Sequence, residues 1–261
     1  MIENEKYNME KEKVWLCDSV LDWSAKIESY SYTNEVDHLR AYDLWKHAEL
    51  ILTGDTNEFN RVDVISNLKR CLNQRLKFIE HVYSLKKIAV SDSPKGYLEY
   101  LESLGLVRPY MLKQLMLIRN DIEHNDAPPP NIERCRELLD LTWYFLKSTD
   151  SFIFWYKNNF TLSYLTNEGD ETQYWLNFDI DFEQGHTTMV NGWVPETLLS
   201  KEEKQGFTLI ELKDFGSKEA RWGGSEKHTD KSDNDFWING KLKPSENIRL
   251  EIVKRCLHAN M

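Results

Sequence analysis

The sequence predicts an α+β multidomain fold, with an N-terminal all-α helical bundle followed by a small β-rich domain. Three observations carry this expectation. Apolar residues recur at spacings of three and four from about Asn34 to Ser151, the period of a helix with one buried face. Only short connections separate these stretches, which favours antiparallel neighbours and hence a bundle. Past Phe152 the spacing shortens towards two, as in Tyr174-Trp175-Leu176-Asn177-Phe178-Asp179-Ile180, which is the period of a strand. A chain of 261 residues accommodates two ordinary domains. The expected division is 1–33, a segment packing on the bundle; 34–151, the bundle; and 152–261, the β-rich domain.

In chain order, Val14, Trp15, Leu16, Val20, Leu21 and Trp23 form an apolar group read as an N-terminal helix. Asn34 is a candidate cap for a helix carrying Val36, Leu39, Leu44, Ala48 and Ile51, which Thr53 and Gly54 end. A longer helix from about Phe59 to Ile88 presents Val62, Ile65, Leu68, Leu72, Leu76, Ile79 and Val82 as one stripe. Pro94 opens a short helix that Gly105 closes, and Pro109 opens another, carrying Met111, Leu115, Ile118 and Ile122. Pro128-Pro129-Pro130 stops that one. The last helix runs from Asn131 to about Ser151. In the β-rich part lie five of the nine tryptophans, and Ser225 to Asp235 reads as a polar loop.

Composition narrows the function classes. Hydrophobic residues at 41% and charged residues at 29% suit a globular chain with a real core. No apolar run approaches the ~20 residues of a membrane span, and the polar start MIENEKYNMEKEK lacks the apolar stretch of a signal peptide. A cytoplasmic location without membrane attachment is therefore expected. Cys17, Cys71, Cys135 and Cys256 are widely spaced, which predicts buried thiols rather than zinc ligands or disulfides. The net charge of -10 argues against nonspecific coating of nucleic acid, a mode that needs many Lys and Arg. A local basic cleft remains compatible with it.

One constellation carries chemistry: Arg119-Asn120-Asp121-Ile122-Glu123-His124. His serves as acid or base near neutral pH, and Arg presents a fork of donors to phosphate oxygens while staying charged. Asn120 and His124, four apart, share a helix face; Arg119 lies about 140° around a regular helix from His124. Either the last turn loosens or the Arg reaches round from the flank. Arg119 also stands four residues before Glu123, so a surface ion pair is its plainest alternative role.

With its surroundings, this motif resembles the HEPN ribonuclease family and its RNxxxH signature. The resemblance covers roughly residues 34–151: a long core helix, a short helix ending in Leu104-Gly105-Leu106, the motif helix, a proline break, and a final helix beginning Ile132-Glu133-Arg134. What it implies is a metal-independent endoribonuclease without a cofactor, cleaving RNA by attack of the 2'-OH at a homodimer interface. Arg119, Asn120 and His124 would be the catalytic residues. A toxin or phage-defence effector is implied, with an antitoxin, inhibitor or trigger protein as a further partner. Some relatives carry Tyr two residues after the His, where this chain has Asp126. The residues also admit a non-catalytic reading, a HEPN-like dimerisation scaffold with a C-terminal binding or sensing domain.

Weaker signals have ordinary readings. Asp179, Asp181 and Glu183 would share a strand face, a solvated one by default and a divalent-cation site otherwise. Arg221, Trp222 and Gly223-Gly224 suggest an aromatic under a turn. Lys69, Arg70, Arg75 and Lys77 read as the polar side of the long helix.

Overall fold

A computed structural model describes residues 12–27, 31–32, 39–54, 57–88, 96–217 and 234–259. The chain divides into two compact units, Ser31–Tyr156 and the combination of Met1–Tyr30 with Lys157–Met261. Each forms its own core.

The unit Ser31–Tyr156 contains five α-helices among its described residues: α1 (Arg40–Thr53), α2 (Glu58–Tyr83), α3 (Tyr97–Ser103), α4 (Tyr110–Asn125) and α5 (Ile132–Phe154). Local chemistry sets their ends. Asn57 and Asn131 accept backbone N–H bonds from Asn60 and Arg134, each at 2.9 Å, so both long helices start on a capping side chain, a bond typically worth ~1 kcal/mol. Ser84, in the left-handed region at φ 46°, closes α2. Val64, Ile65, Leu68, Cys71, Leu72, Leu76 and Ile79 of α2 are buried and pack against α1, α5 and α4. A short antiparallel ribbon joins β3 (Ser31–Tyr32) to β4 (Trp155–Tyr156). The predicted cap Asn34, Val36 and Pro94 lie outside the described residues.

Arg75 departs from its expected place on the polar side of α2. It is 2% exposed, and its guanidinium donates to Asp150 Oδ1 of α5 at 2.9 Å. The Tyr42 hydroxyl of α1 donates to the other Asp150 oxygen at 2.7 Å. Three helices thus share one buried charged junction. Burial, and the Asp150 carboxylate after it, raises the Tyr42 hydroxyl above its usual range.

The second unit holds an eight-stranded sheet. Its members are β1 (Lys13–Cys17), β2 (Ser24–Lys26), β5 (Asn159–Leu165), β6 (Glu171–Asp181), β7 (Thr187–Pro195), β8 (Leu199–Ser200), β9 (Phe207–Ser217) and β10 (Asp235–Lys243). They pair antiparallel in the order β2-β5-β6-β7-β10-β9-β1-β8. Leu16, Leu176, Phe178, Ile180, Val190, Ile210, Ile238 and Leu242 alternate inward and are buried. Helix α6 (Glu246–His258) brings Ile248 and Ile252 against Leu16, Phe178 and Leu242 on that face. Burial pushes the Cys256 thiol of α6 and the Cys71 thiol of α2 up to about 12, so neither offers a thiolate near neutral pH.

These observations correct the predicted fold class. The chain does not open with an all-helical bundle, and the β-rich part is not small: strands come first, helices follow, and a large sheet closes the chain. Residues 13–26, expected as a helix packing on the bundle, supply β1 and β2 of the sheet, joined by a short 3-10 turn. Val14 and Leu16 face inward, alternating with Lys13 and Trp15, an alternation too brief to outweigh six apolar residues in a row of ten. The partner that fixes β1 is β9, through Val14 with Ile210 and Leu16 with Thr208. At the other end, Asp235, expected in a loop, begins β10 and is buried.

Gly192 lies in the middle of β7 between Leu176 and Ile238, at φ 150°. A Cβ there would run into the Trp175 carbonyl oxygen and approach Leu176 Cα to 2.9 Å. Both atoms are backbone and cannot rotate away. Gly192→Ala is therefore expected to destabilise the protein by on the order of 2–3 kcal/mol, read as a fall in the urea midpoint. A change below about 0.5 kcal/mol would show that the sheet relaxes around the methyl group.

Candidate functional site

Helix α4 positions the motif. Leu112 and Leu115 anchor its first half in the core, whereas Ile118 and Ile122, expected inward, are only half-buried. Around the motif the helix stands in solvent: Asn120, Asp121, Glu123, His124 and Asn125 are exposed. The helix stays regular through Asn125 and ends at Asp126, whose φ of 51° is left-handed. Asp126 turns the chain towards the prolines.

Of the two geometries left open by the spacing, the structure shows neither: the last turn does not loosen, and the Arg119 guanidinium turns to Asn120 and Glu123 instead of reaching round to His124. Its Nη1 donates to Asn120 Oδ1 at 3.4 Å, and its other terminal nitrogen pairs with the Glu123 carboxylate. Arg119 and Asn120 are thus brought together, while His124, one turn further on, is exposed and its side chain makes no hydrogen bond among the described residues. The Arg119–Glu123 pair is of the i,i+4 surface kind, worth only about 0.3–0.5 kcal/mol. Leu117, 54% exposed, and Tyr110, 71% exposed, lie on the same stripe of α4, spaced by seven residues.

The other sequence candidates resolve differently. Asp181 Oδ1 accepts the backbone N–H groups of Glu183 and Gln184 at 3.0 and 2.8 Å, so it closes the turn after β6, and Glu183 lies beyond the strand. Among the described residues no group of three or more His, Cys, Asp or Glu side chains is placed to hold a metal ion. Arg221, Trp222, Gly223 and Gly224 lie outside the described residues. Among those described, no helix is long and apolar enough to cross a membrane.

Sequence reasoning missed an aromatic cleft in the sheet unit. It has a volume of about 650 Å³, and its lining includes Trp23, Tyr164 and Tyr174 together with Asp22, Thr197 and Leu198. These residues are scattered over the whole chain, and the wealth of tryptophan was the one signal that hinted at it. No family model, no curated protein and no solved structure matches this chain.

Proposed function

We propose that the chain is a metal-independent endoribonuclease of the HEPN type, which cuts RNA at a site composed of two copies of α4. The observation that carries this reading is the Arg119-Asn120-x-x-x-His124 motif, held on the solvent-facing half of one regular helix with its imidazole exposed. Cleavage joins the 2'-oxygen to phosphorus and breaks the bond from phosphorus to the 5'-oxygen. One group takes the 2'-OH proton, another protonates the leaving oxygen, and a cation faces the pentacoordinate phosphate. Arg119 supplies the cation, with Asn120 steadying its guanidinium from the side. His124 supplies proton transfer.

One motif offers one imidazole, and the reaction uses an acid and a base on opposite sides of phosphorus. A twofold axis beside α4 would set a second His124 opposite the first, because an isologous contact places each patch against itself. Exposed Leu117 and Tyr110 give such a contact apolar surface to bury. The biological role implied by the resemblance, a toxin or defence effector restrained by an inhibitor or trigger protein, belongs to the same proposal, as does action in the cytoplasm.

The test is cleavage of RNA in excess EDTA by the full chain, with chemical analysis of the new ends. Cleavage that survives chelation and leaves 2',3'-cyclic phosphates is expected, with specific activity falling on dilution as dimer dissociates. Loss of cleavage on chelation would overturn the mechanism. Undiminished activity per protomer from a monomer seen by light scattering would overturn the composite site.

A further inference from the structure

The aromatic cleft of the sheet unit has a geometry that the nuclease reading does not use. Trp23 follows the 3-10 turn Asp18–Asp22, Tyr164 is near the end of β5, and Tyr174 is near the start of β6. A break in the β5–β6 ladder brings the two tyrosines together. Ser163 faces Trp175, yet Leu165 faces Glu171, so the pairing slips by two residues and Thr172 to Tyr174 bulge opposite Tyr164. The bulge is fastened by the Thr172 hydroxyl, which donates to the Tyr164 carbonyl at 2.8 Å. Bulges commonly re-aim side chains in this way beside binding sites.

The rings form walls rather than a slot. Trp23 and Tyr164 have centroids 5.6 Å apart with planes inclined at 51°, and Tyr164 and Tyr174 are 6.5 Å apart at 56°. A flat base is held best between parallel faces, whereas inclined faces surround a rounded group. Charge points the same way. Among the described residues lining the cleft, Asp22 is the one acid and there is no Lys or Arg, so a phosphate-bearing ligand would find no partner. Arg255 lies 3.7 Å from Asp22 but also holds Glu251 at 3.0 Å, so this trio leaves a net negative charge. The fully buried Asp235 side chain is hydrogen-bonded by Tyr174, which makes that ring more electron-rich.

We propose that this cleft binds an alkylated ammonium group, the head of a quaternary or methylated amine, among the rings of Trp23, Tyr164 and Tyr174. Such a cation is attracted to the negative faces of aromatic rings and loses less hydration than a primary ammonium on entering. A volume of about 650 Å³ is within the usual range of small-molecule sites and leaves room for the chain to which the head is attached. The proposal stands independently of the motif on α4.

The experiment is calorimetric titration of the full chain with choline and with its neutral isostere 3,3-dimethylbutan-1-ol, which has the same shape without the charge. Saturable choline binding, at least ~10-fold tighter than that of the isostere, is expected. Tyr164→Ala should weaken choline binding at least ~10-fold, with the thermal midpoint nearly unchanged because Tyr164 is 47% exposed; Tyr164→Phe should retain it. Asp22→Asn should weaken it by a smaller factor. Equal affinity for the two probes would make the cleft merely apolar and overturn the proposal. So would absence of saturable choline binding, and so would binding of adenosine in its place.

Discussion

Replacing His124 by Ala is expected to lower the rate of RNA cleavage by at least ~10²-fold, the usual consequence of removing an acid–base group. In barrier terms this is about 2.7 kcal/mol. The same loss is expected for Arg119→Ala, since a cation already aligned with the developing charge is worth a comparable amount. Both variants should melt within a degree or so of the parent. His124 is exposed and bonded to nothing described, and the Arg119–Glu123 pair contributes only tenths of a kcal/mol to the helix. Glu123→Gln makes the complementary variant, because it frees Arg119 from its carboxylate without touching the proposed catalytic groups. Its activity should be retained or modestly raised at low substrate. A His124→Ala protein that cuts at the parental rate would leave the helical unit as a dimerising scaffold and transfer the function to the sheet unit.

Stability should respond most to Asp150. Removing its carboxylate by Asp150→Ala leaves the Arg75 guanidinium, 2% exposed, without its ion pair inside the helical unit. An orphaned buried charge costs about 3–5 kcal/mol, which corresponds to a fall of roughly 6 °C or more in melting temperature for a protein of this size. The Tyr42 hydroxyl would lose its acceptor at the same time, adding about 1 kcal/mol. Lys147, 3.6 Å from Asp150 and half exposed, turns to solvent and adds little. Arg75→Met should behave very differently, because it removes the charge that needs compensation and fills the space with methylenes. A change within about 1 kcal/mol of the parent is expected there. Equal destabilisation by the two substitutions would mean that packing around residue 75, rather than the charge, holds α1, α2 and α5 together.

The aromatic cleft and the buried junction illustrate why parts of this structure were not legible in the chain. Arg75 has the same helical phase as Leu68 and Leu72, yet a long charged residue is ordinarily read as solvent-facing. Only the approach of Asp150, seventy-five residues later, makes its burial tolerable. Tyr164 and Tyr174 come together through a bulge whose register no local pattern encodes, and Trp23 joins them from the far end of the chain. The charge arrangement at the motif was more accessible. The i,i+4 spacing of Arg119 and Glu123 foretold their ion pair, and the proline run foretold where α4 must stop.

What the sequence by itself determined were the features governed by near neighbours. The start of α5 and both ends of α4 follow from Asn131, Pro109 and Pro128, whose effects act within one turn, and the buried stripe of α2 follows from a 3.6-residue period sustained over 26 residues, although that helix, expected to reach Ile88, closes at Tyr83. Only the tertiary structure decided the strand partners. In a helix each hydrogen bond closes within four residues, so the signal for it is written locally. A strand bonds to whatever lies beside it, and for β1 that neighbour is β9, nearly two hundred residues away. An apolar segment of five residues is compatible with helix or strand until its partner is known, which is why Lys13–Cys17 became one strand of an eight-stranded sheet instead of a helix.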